Sequence, residues 1–378
     1  MRKVYWRCCI NTALAGKACI MKKKVLHVIN SLMPGGAEML LVNSLAEGGL
    51  QEHTDNIVVY FQGASPLAEK MDKSVQVICL DYKGILSLPA TLSKLRKIIR
   101  EHKIDIVHTH LNPAGTYTHL ICPATVPHVH TLHTTYSMDT ETRPVMRWLE
   151  RKLYFNKKDC NVILLSDFTR EDFLKAIPFK GRTFVLNNFV PDIFFKNEVN
   201  VNKPIHSSLK LIAVGTLKPL KNFEYLLDVF DHLRGEEIYL DIYGGGDRSP
   251  YEKIINEKGL KIKMMGYNDD LESVLPDYDL FIMPSKFEGF PLVLFEAMAS
   301  GVPVMLSNIA PLKSIVGEHA IYFELDNAVA TAESIRQWLQ MKADISLMAQ
   351  KAKRYAQSTV RRETYITELL SIYGQLGL

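Results

Sequence analysis

Residues 284–303 read PSKFEGFPLVLFEAMASGVP. Glu288 and Glu296 stand eight positions apart, with Gly289 and Pro291 just behind the first. From Pro291 onward, Leu292, Val293, Phe295, Ala297, Met298 and Ala299 read as a helix. Proline suits the first turn because its missing N–H would have had no partner there. Gly301 and Pro303 then close the helix. Upstream, DLFIM (279–283) is a short apolar run that predicts a buried strand. The unit is therefore strand, loop, helix, strand. Glu288 falls on the loop at the strand's C-terminal end, where open α/β sheets bind ligands. Glu296 lies about a turn and a half into the helix, able to face the same crevice. The free amides from Phe290 to Val293 offer a site for an anion. Two glutamates at this spacing are commonly just a solvated pair, but an apolar helix bracketed by glycines and prolines argues against that here.

Outward from this unit the same alternation recurs. VLHVIN (25–30), NIVVYF (56–61), VQVICL (75–80), DIVHT (105–109), HVHTL (128–132) and NVILL (161–165) predict strands, with helices between most of them. That order implies a parallel sheet with crossovers. A mixed Pro, Asn and Lys stretch over 190–209 marks a domain boundary. LKLIAVGTL (209–217) then restarts the pattern, followed by IYLDIYG (238–244) and a strand at 262–266. The predicted division is an extension at 1–20, a first domain at 21–195, a second at 205–358 and a terminal helix at 359–378. MKKK at Met21 reads as the natural start, and residues 1–20 are left out of the fold reasoning.

The 378 residues fit two domains of ordinary size. With 47% apolar and 23% charged residues the chain has the composition of a soluble globular protein. No apolar run reaches the roughly 18 residues of a membrane span. The six cysteines show no metal or CxxC spacing and read as free thiols of a reducing compartment. A net charge of +4 permits an anionic partner without demanding one, and no nucleic-acid partner is expected. Residues 143–158, RPVMRWLERKLYFNKK, combine Arg147, Arg151, Lys152, Lys157 and Lys158 with Trp148, Leu149, Leu153, Tyr154 and Phe155. Such a helix either buries its aromatics in the core or lies on an anionic membrane surface.

The segment EGFPLVLFEAMASGVPV (288–304) resembles the E-x7-E signature of the retaining glycosyltransferases of GT-B fold, family 4. Other stretches are similar to the same family: PGGAE (34–38), VHTLH ending at His133, VGTLKPLK (214–221) and the loop at Tyr267. The resemblance implies two Rossmann-like parallel-sheet domains facing a central cleft, with the last helix crossing back to the first. It implies transfer of a sugar, with retention, from a nucleotide diphosphate sugar to a hydroxyl of a glycan or polyprenyl-linked acceptor. It implies neither cofactor nor metal, and a setting in bacterial surface polysaccharide assembly at the inner face of the cytoplasmic membrane.

Roles carry over position by position. The resemblance makes Glu288 the residue that binds sugar hydroxyls and stabilises the oxocarbenium-like centre, and Glu296 the one that holds the ribose hydroxyls. His133 would contact the sugar from the other domain. Gly35, Gly36, Gly215, Lys221 and the amides of Gly289, Phe290, Leu292 and Val293, beside Pro291, would line the donor. Tyr267 would flank the base. Where relatives carry arginine this chain has Thr216, so one phosphate-binding cation is missing, and Lys218 is a candidate substitute. Six of the twelve histidines fall between His108 and His133. The H-x-H pairs 108/110 and 128/130 each share a strand face, which permits a metal site, although packed histidines suit a buried sheet better. Other readings stay open at this point: a UDP-sugar epimerase of the same fold, a hydrolase using Glu288 and Glu296 as acid and base, or a non-catalytic nucleotide-sugar-binding subunit.

Overall fold

A computed structural model describes residues 22–138, 142, 144–156, 159–196, 208–338 and 342–377. The expectations for residues 1–20, for Lys157 and Lys158 and for most of the linker lie outside these. Among the described residues the first domain contains β1 (Lys23–Ile29), β2 (Thr54–Tyr60), β3 (Gln76–Cys79), β4 (Ile106–His110), β5 (His128–Leu132), β6 (Asn161–Leu164) and β7 (Arg182–Val185). The second contains β8 (Leu209–Val214), β9 (Ile238–Tyr243), β10 (Ile262–Gly266), β11 (Leu280–Met283), β12 (Val304–Ser307) and β13 (Ile321–Phe323). The sheet orders are β3-β2-β1-β4-β5-β6-β7 and β10-β9-β8-β11-β12-β13, and every pairing is parallel.

Two short strands escaped the sequence reading. β7 carries RTFV and β13 carries IYF at a sheet edge, both too brief and too little buried to give an apolar signal. The central strands read as continuous apolar runs because helices cover both of their faces. In each sheet the order reverses once, between β1 and β4 and between β8 and β11. A crevice opens at the carboxyl ends of the strands at such a reversal. The loops after β8 and β11, which hold Gly215–Lys221 and Pro284–Pro291, flank the second reversal.

The junction between the domains is packed. Leu165, Val190, Phe194 and Phe195 share one apolar cluster with Phe281, Phe290, Phe295 and Met298. The Val190 N–H donates to the Val360 carbonyl at 2.9 Å, and Arg361 pairs with Asp192 at 3.0 Å. Helix Arg362–Gln375 then lies on the first sheet, with Tyr365, Leu369, Ile372 and Tyr373 beside Val25, Ile29 and Val129. The terminal helix thus crosses back to the first domain, as the resemblance implies.

The 143–158 segment is less regular than predicted: an α-helix Pro144–Glu150 passes into a π-turn Arg151–Phe155. Tyr154 and Phe155 are core residues, whereas Trp148 is 58% exposed. Ser166 caps the helix Asp167–Ala176 reciprocally with Thr169. Cys79, Cys122 and Cys160 form no disulfide among the described residues.

Candidate active site

β11 ends at Met283 and the chain turns through Pro284–Pro291 before re-entering helix Leu292–Ala299. The turn is pinned to the loop after β8. Asn222 Nδ2 donates to the Pro284 carbonyl at 3.2 Å and the Lys286 N–H to the Leu220 carbonyl at 2.9 Å. Ser307 Oγ, from the end of β12, donates to the Ser285 carbonyl at 2.6 Å. The result is a fixed carboxylate. Glu288 is only 8% exposed, and its Oε1 accepts from Lys221 Nζ at 2.7 Å and from Ser285 Oγ at 2.6 Å. Ser285 was not anticipated; a hydroxyl three residues before the glutamate was the available signal.

Lys221 is held along its length. Its side-chain carbons run over Gly215, where an added Cβ would meet them at 3.4–3.5 Å. Gly215 is in turn covered by Gly244, whose φ is +154° and where any Cβ would strike the Gly215 carbonyl at 1.8 Å. These glycines bring the loops after β8 and β9 together under the lysine. Thr216 and Lys218 are exposed, and the backbone bends there, the Lys218 N–H reaching the Thr216 carbonyl at 2.7 Å. An ammonium has three donors, so one bond to Glu288 leaves two for an incoming oxyanion.

Helix Leu292–Ala299 starts from Pro291 in extended backbone with no side-chain cap, so its first amides remain available. Phe290 is buried and stacks on Phe295, with ring centroids 4.8 Å apart. Glu296 is half-buried; desolvation, with Glu272 adding repulsion, pushes its carboxyl up to about 7. Glu272 lies on the short helix Leu271–Val274, which follows Tyr267. Tyr267 itself is 66% exposed.

From the first domain, His133 follows β5 and is part-buried. Its Nε2 lies 3.2 Å from His110 Nδ1, and burial, with repulsion from His130, lowers its imidazole to about 3. The next two residues meet the other domain. A Cβ on Gly289 would sit 3.6 Å from Thr135 Oγ1 and 3.9 Å from Thr134 Cα, in ordinary contact. The structure therefore draws Glu288, Lys221 and the His133 loop to one junction. Gly35 and Gly36 begin helix Gly36–Ser44, but Glu38 folds back there, its Oε2 only 2.4 Å from where a Gly35 Cβ would be. A carboxylate of the chain thus lies at the amides where an anion would bind.

The H-x-H pairs do alternate as read. His108 and His110 share a face with His27, while His128 and His130 approach Thr109 on the other. Among the described residues His27, His108 and His110 bring ligand atoms within 4.8 Å of one another, all buried.

Comparison with known proteins follows this division. The model of the glycosyl transferases group 1 matches residues 194–359, and that of glycosyltransferase family 4 matches residues 34–192. The chain is 27% identical over 329 residues to an Escherichia coli UDP-Gal:α-D-GlcNAc-diphosphoundecaprenol α-1,3-galactosyltransferase, covering 78% of this chain and 81% of that enzyme. Among solved structures it is similar to a glycosyltransferase from Rickettsia africae, with TM-score 0.78, 19% identity and 94% and 98% of the two chains covered. It is also similar to Anabaena HepE in complex with UDP and glucose, with TM-score 0.76, 20% identity and 93% and 100% covered.

Proposed function

Because the chain belongs to the family 4 glycosyltransferases of GT-B fold, we propose that it moves a hexose from a UDP-sugar to a hydroxyl of a lipid-linked glycan, with retention and without a metal. The observation that carries this reading is the junction where the Glu288–Lys221 pair meets the loop after His133. The nucleotide assignment is supported by the UDP in the HepE complex and by the UDP-galactose donor of the E. coli relative. The acceptor class is supported by that relative's diphosphoundecaprenol substrate, and the setting is then bacterial surface glycan assembly.

The chemistry follows from charge. The bond between the anomeric carbon and the diphosphate oxygen breaks, and its electron pair leaves with the diphosphate. The acceptor oxygen bonds to the same face of that carbon, and its proton passes to the departing phosphate. Negative charge grows on the phosphate, so fixed positive groups there lower the barrier. Lys221 keeps one hydrogen bond to Glu288 and turns its remaining donors to the phosphate. The amides of Leu292 and Val293 add the helix terminus. Glu288, neutralised on one oxygen by Lys221 and Ser285, faces the developing positive charge on the sugar. Glu296 accepts from the ribose hydroxyls, and His133 meets the sugar from the opposite wall.

Two segments of the first domain expose apolar side chains. Leu86 is 96% exposed, and Ile85, Val145 and Trp148 stand out with it. Met146, beside Val145, packs on the same apolar cluster as Tyr82 and Leu88. Lys83, Arg151 and Lys152, close to them in sequence, are exposed as well. Exposed apolar side chains with basic residues near them in sequence suit an anionic membrane surface and the lipid of the acceptor. No helix among the described residues is long and apolar enough to cross a membrane.

Exposed Thr216, which supplies no charge to the donor, favours a second reading as a subunit that binds the nucleotide sugar without turning it over. Thermal unfolding with UDP, GDP, ADP and CMP in turn tests the donor assignment. UDP at about 100 times its dissociation constant adds about 2.7 kcal/mol, and this is lost in Glu296→Ala. A shift with another nucleotide alone would refute the UDP assignment, and no shift at all would refute the donor site.

A further inference from the structure

Three histidines of the first domain and one asparagine form a line across the sheet. Asn56 on β2, His27 on β1, His110 on β4 and His133 just past β5 succeed one another in the order of the strands. Asn56 Oδ1 is 3.2 Å from His27 Nε2, His27 Nδ1 is 3.4 Å from His110 Nε2, and His110 Nδ1 is 3.2 Å from His133 Nε2. The ring planes differ by 21° and 35° while their centroids lie 5.7 and 5.5 Å apart. With nitrogens so much closer than centroids, the rings are joined edge to edge, nitrogen to nitrogen.

The line has a direction. Asn56 Nδ2 donates to the Thr54 carbonyl at 2.9 Å, which turns Oδ1, an acceptor only, toward His27. His27 must therefore carry its proton on Nε2. Burial holds His27 down to about 4 and His110 well below the usual imidazole range, so each ring is neutral at pH 7 and carries one proton. His27 Nδ1 is then an acceptor and takes the Nε2–H of His110. His110 Nδ1 is an acceptor in turn and takes the Nε2–H of His133. His133 Nδ1 is left bare, with no partner among the described residues.

We infer that Asn56, His27 and His110 are positioning residues that fix His133 in the Nε2–H tautomer, so that its Nδ1 presents a lone pair to a hydroxyl of the bound sugar. The role for the sugar rests on the transferase reading; the tautomer does not. A cation among His27, His108 and His110 is the competing use of these rings. His108 already spends Nδ1 on Tyr373 and Nε2 on Thr131, each at 2.7 Å. His27 and His110 aim the lone pair of one at the proton of the other, so a cation would have to break both arrangements.

Two-bond proton–nitrogen correlation of the full chain labelled with ¹⁵N-histidine, at pH 7 without donor or acceptor, reads the tautomer directly. His133, assigned by the signals lost in His133→Asn, is expected to carry its proton on Nε2. In His27→Phe it is expected to become a mixture of tautomers, and kcat/KM falls about tenfold, as for one hydrogen bond lost from the transition state. A wild-type His133 protonated on Nδ1, or an unchanged tautomer in folded His27→Phe, overturns the inference. The wild-type spectrum decides even if His27→Phe fails to fold. Because the spectrum is taken without substrates, absence of transfer activity would refute the transferase reading and leave the tautomer standing.

Discussion

Lowering the pH from 8 to 6 should weaken the binding of a UDP-hexose about tenfold. The perturbation acts on Glu296, whose carboxyl burial raises to about 7. Ribose hydroxyls donate hydrogen bonds, so the donor selects the ionised carboxylate. That form makes up about nine-tenths of the population at pH 8 and about one-tenth at pH 6. The apparent dissociation constant is the intrinsic one divided by this fraction, which gives the tenfold change. His133, lowered to about 3, stays neutral throughout and adds nothing. A UDP-hexose is the probe because the terminal phosphate of free UDP titrates in the same range. Calorimetric titration in two buffers of different ionisation enthalpy should show protons released on binding at pH 6, and Glu296→Gln should flatten the profile. An affinity independent of pH in the wild type, or a tenfold drop that persists in Glu296→Gln, would refute the reasoning. The same group has a sign in the empty protein. The unfolded carboxyl ionises near 4.5 and the folded one near 7, so between these values the folded state holds more protons and this group's contribution falls as pH rises.

Other expectations follow from the same structure. Lys221→Met leaves buried Glu288 with Ser285 alone and should cost about 1–3 kcal/mol in urea unfolding, most of it recovered when Glu288→Gln is added; two additive penalties would contradict the pairing. His27 and His130, lowered to about 4, and His133, lowered to about 3, are buried neutral, so their stabilisation is complete above 6.5 and is lost as the pH falls toward those values. Each should remove about 1.4 kcal/mol per pH unit below 6.5, which outweighs the opposite slope of Glu296, and unfolding free energies equal at pH 6.5 and 4.5 would contradict this. Leu86→Ser with Trp148→Ser should abolish flotation with anionic vesicles without changing the unfolding midpoint by more than about 0.5 kcal/mol; undiminished flotation would remove these side chains from the membrane reading.

The sequence exposed those features whose causes are local. Buried parallel strands announce themselves as apolar runs, and the loop–helix unit around Glu288 is bounded by its own prolines and glycines. Strands β7 and β13 are short and half-covered, so their signal was weak. The Glu288–Lys221 pair spans 67 positions, and only the adjacency of β8 and β11 brings it together. The histidine line needs the order of four strands before it can be seen, although the H-x-H spacing showed which rings share a face. Glu38 was part of the quoted PGGAE stretch, yet its return to Gly35 depends on a rotamer that no spacing encodes. Tyr267 shows the opposite case: a position read from resemblance whose side chain is largely exposed.

Sugar transfer with Glu288 at its centre can be measured directly. The direct measurement is incubation with UDP-hexoses and α-D-GlcNAc-diphosphoundecaprenol, reading UDP release and the anomeric configuration of the product by NMR. Acceptor-dependent UDP release and an α-linked product from an α-linked donor are expected, both lost in folded Glu288→Gln. A β-linked product, or undiminished turnover in Glu288→Gln, would contradict it.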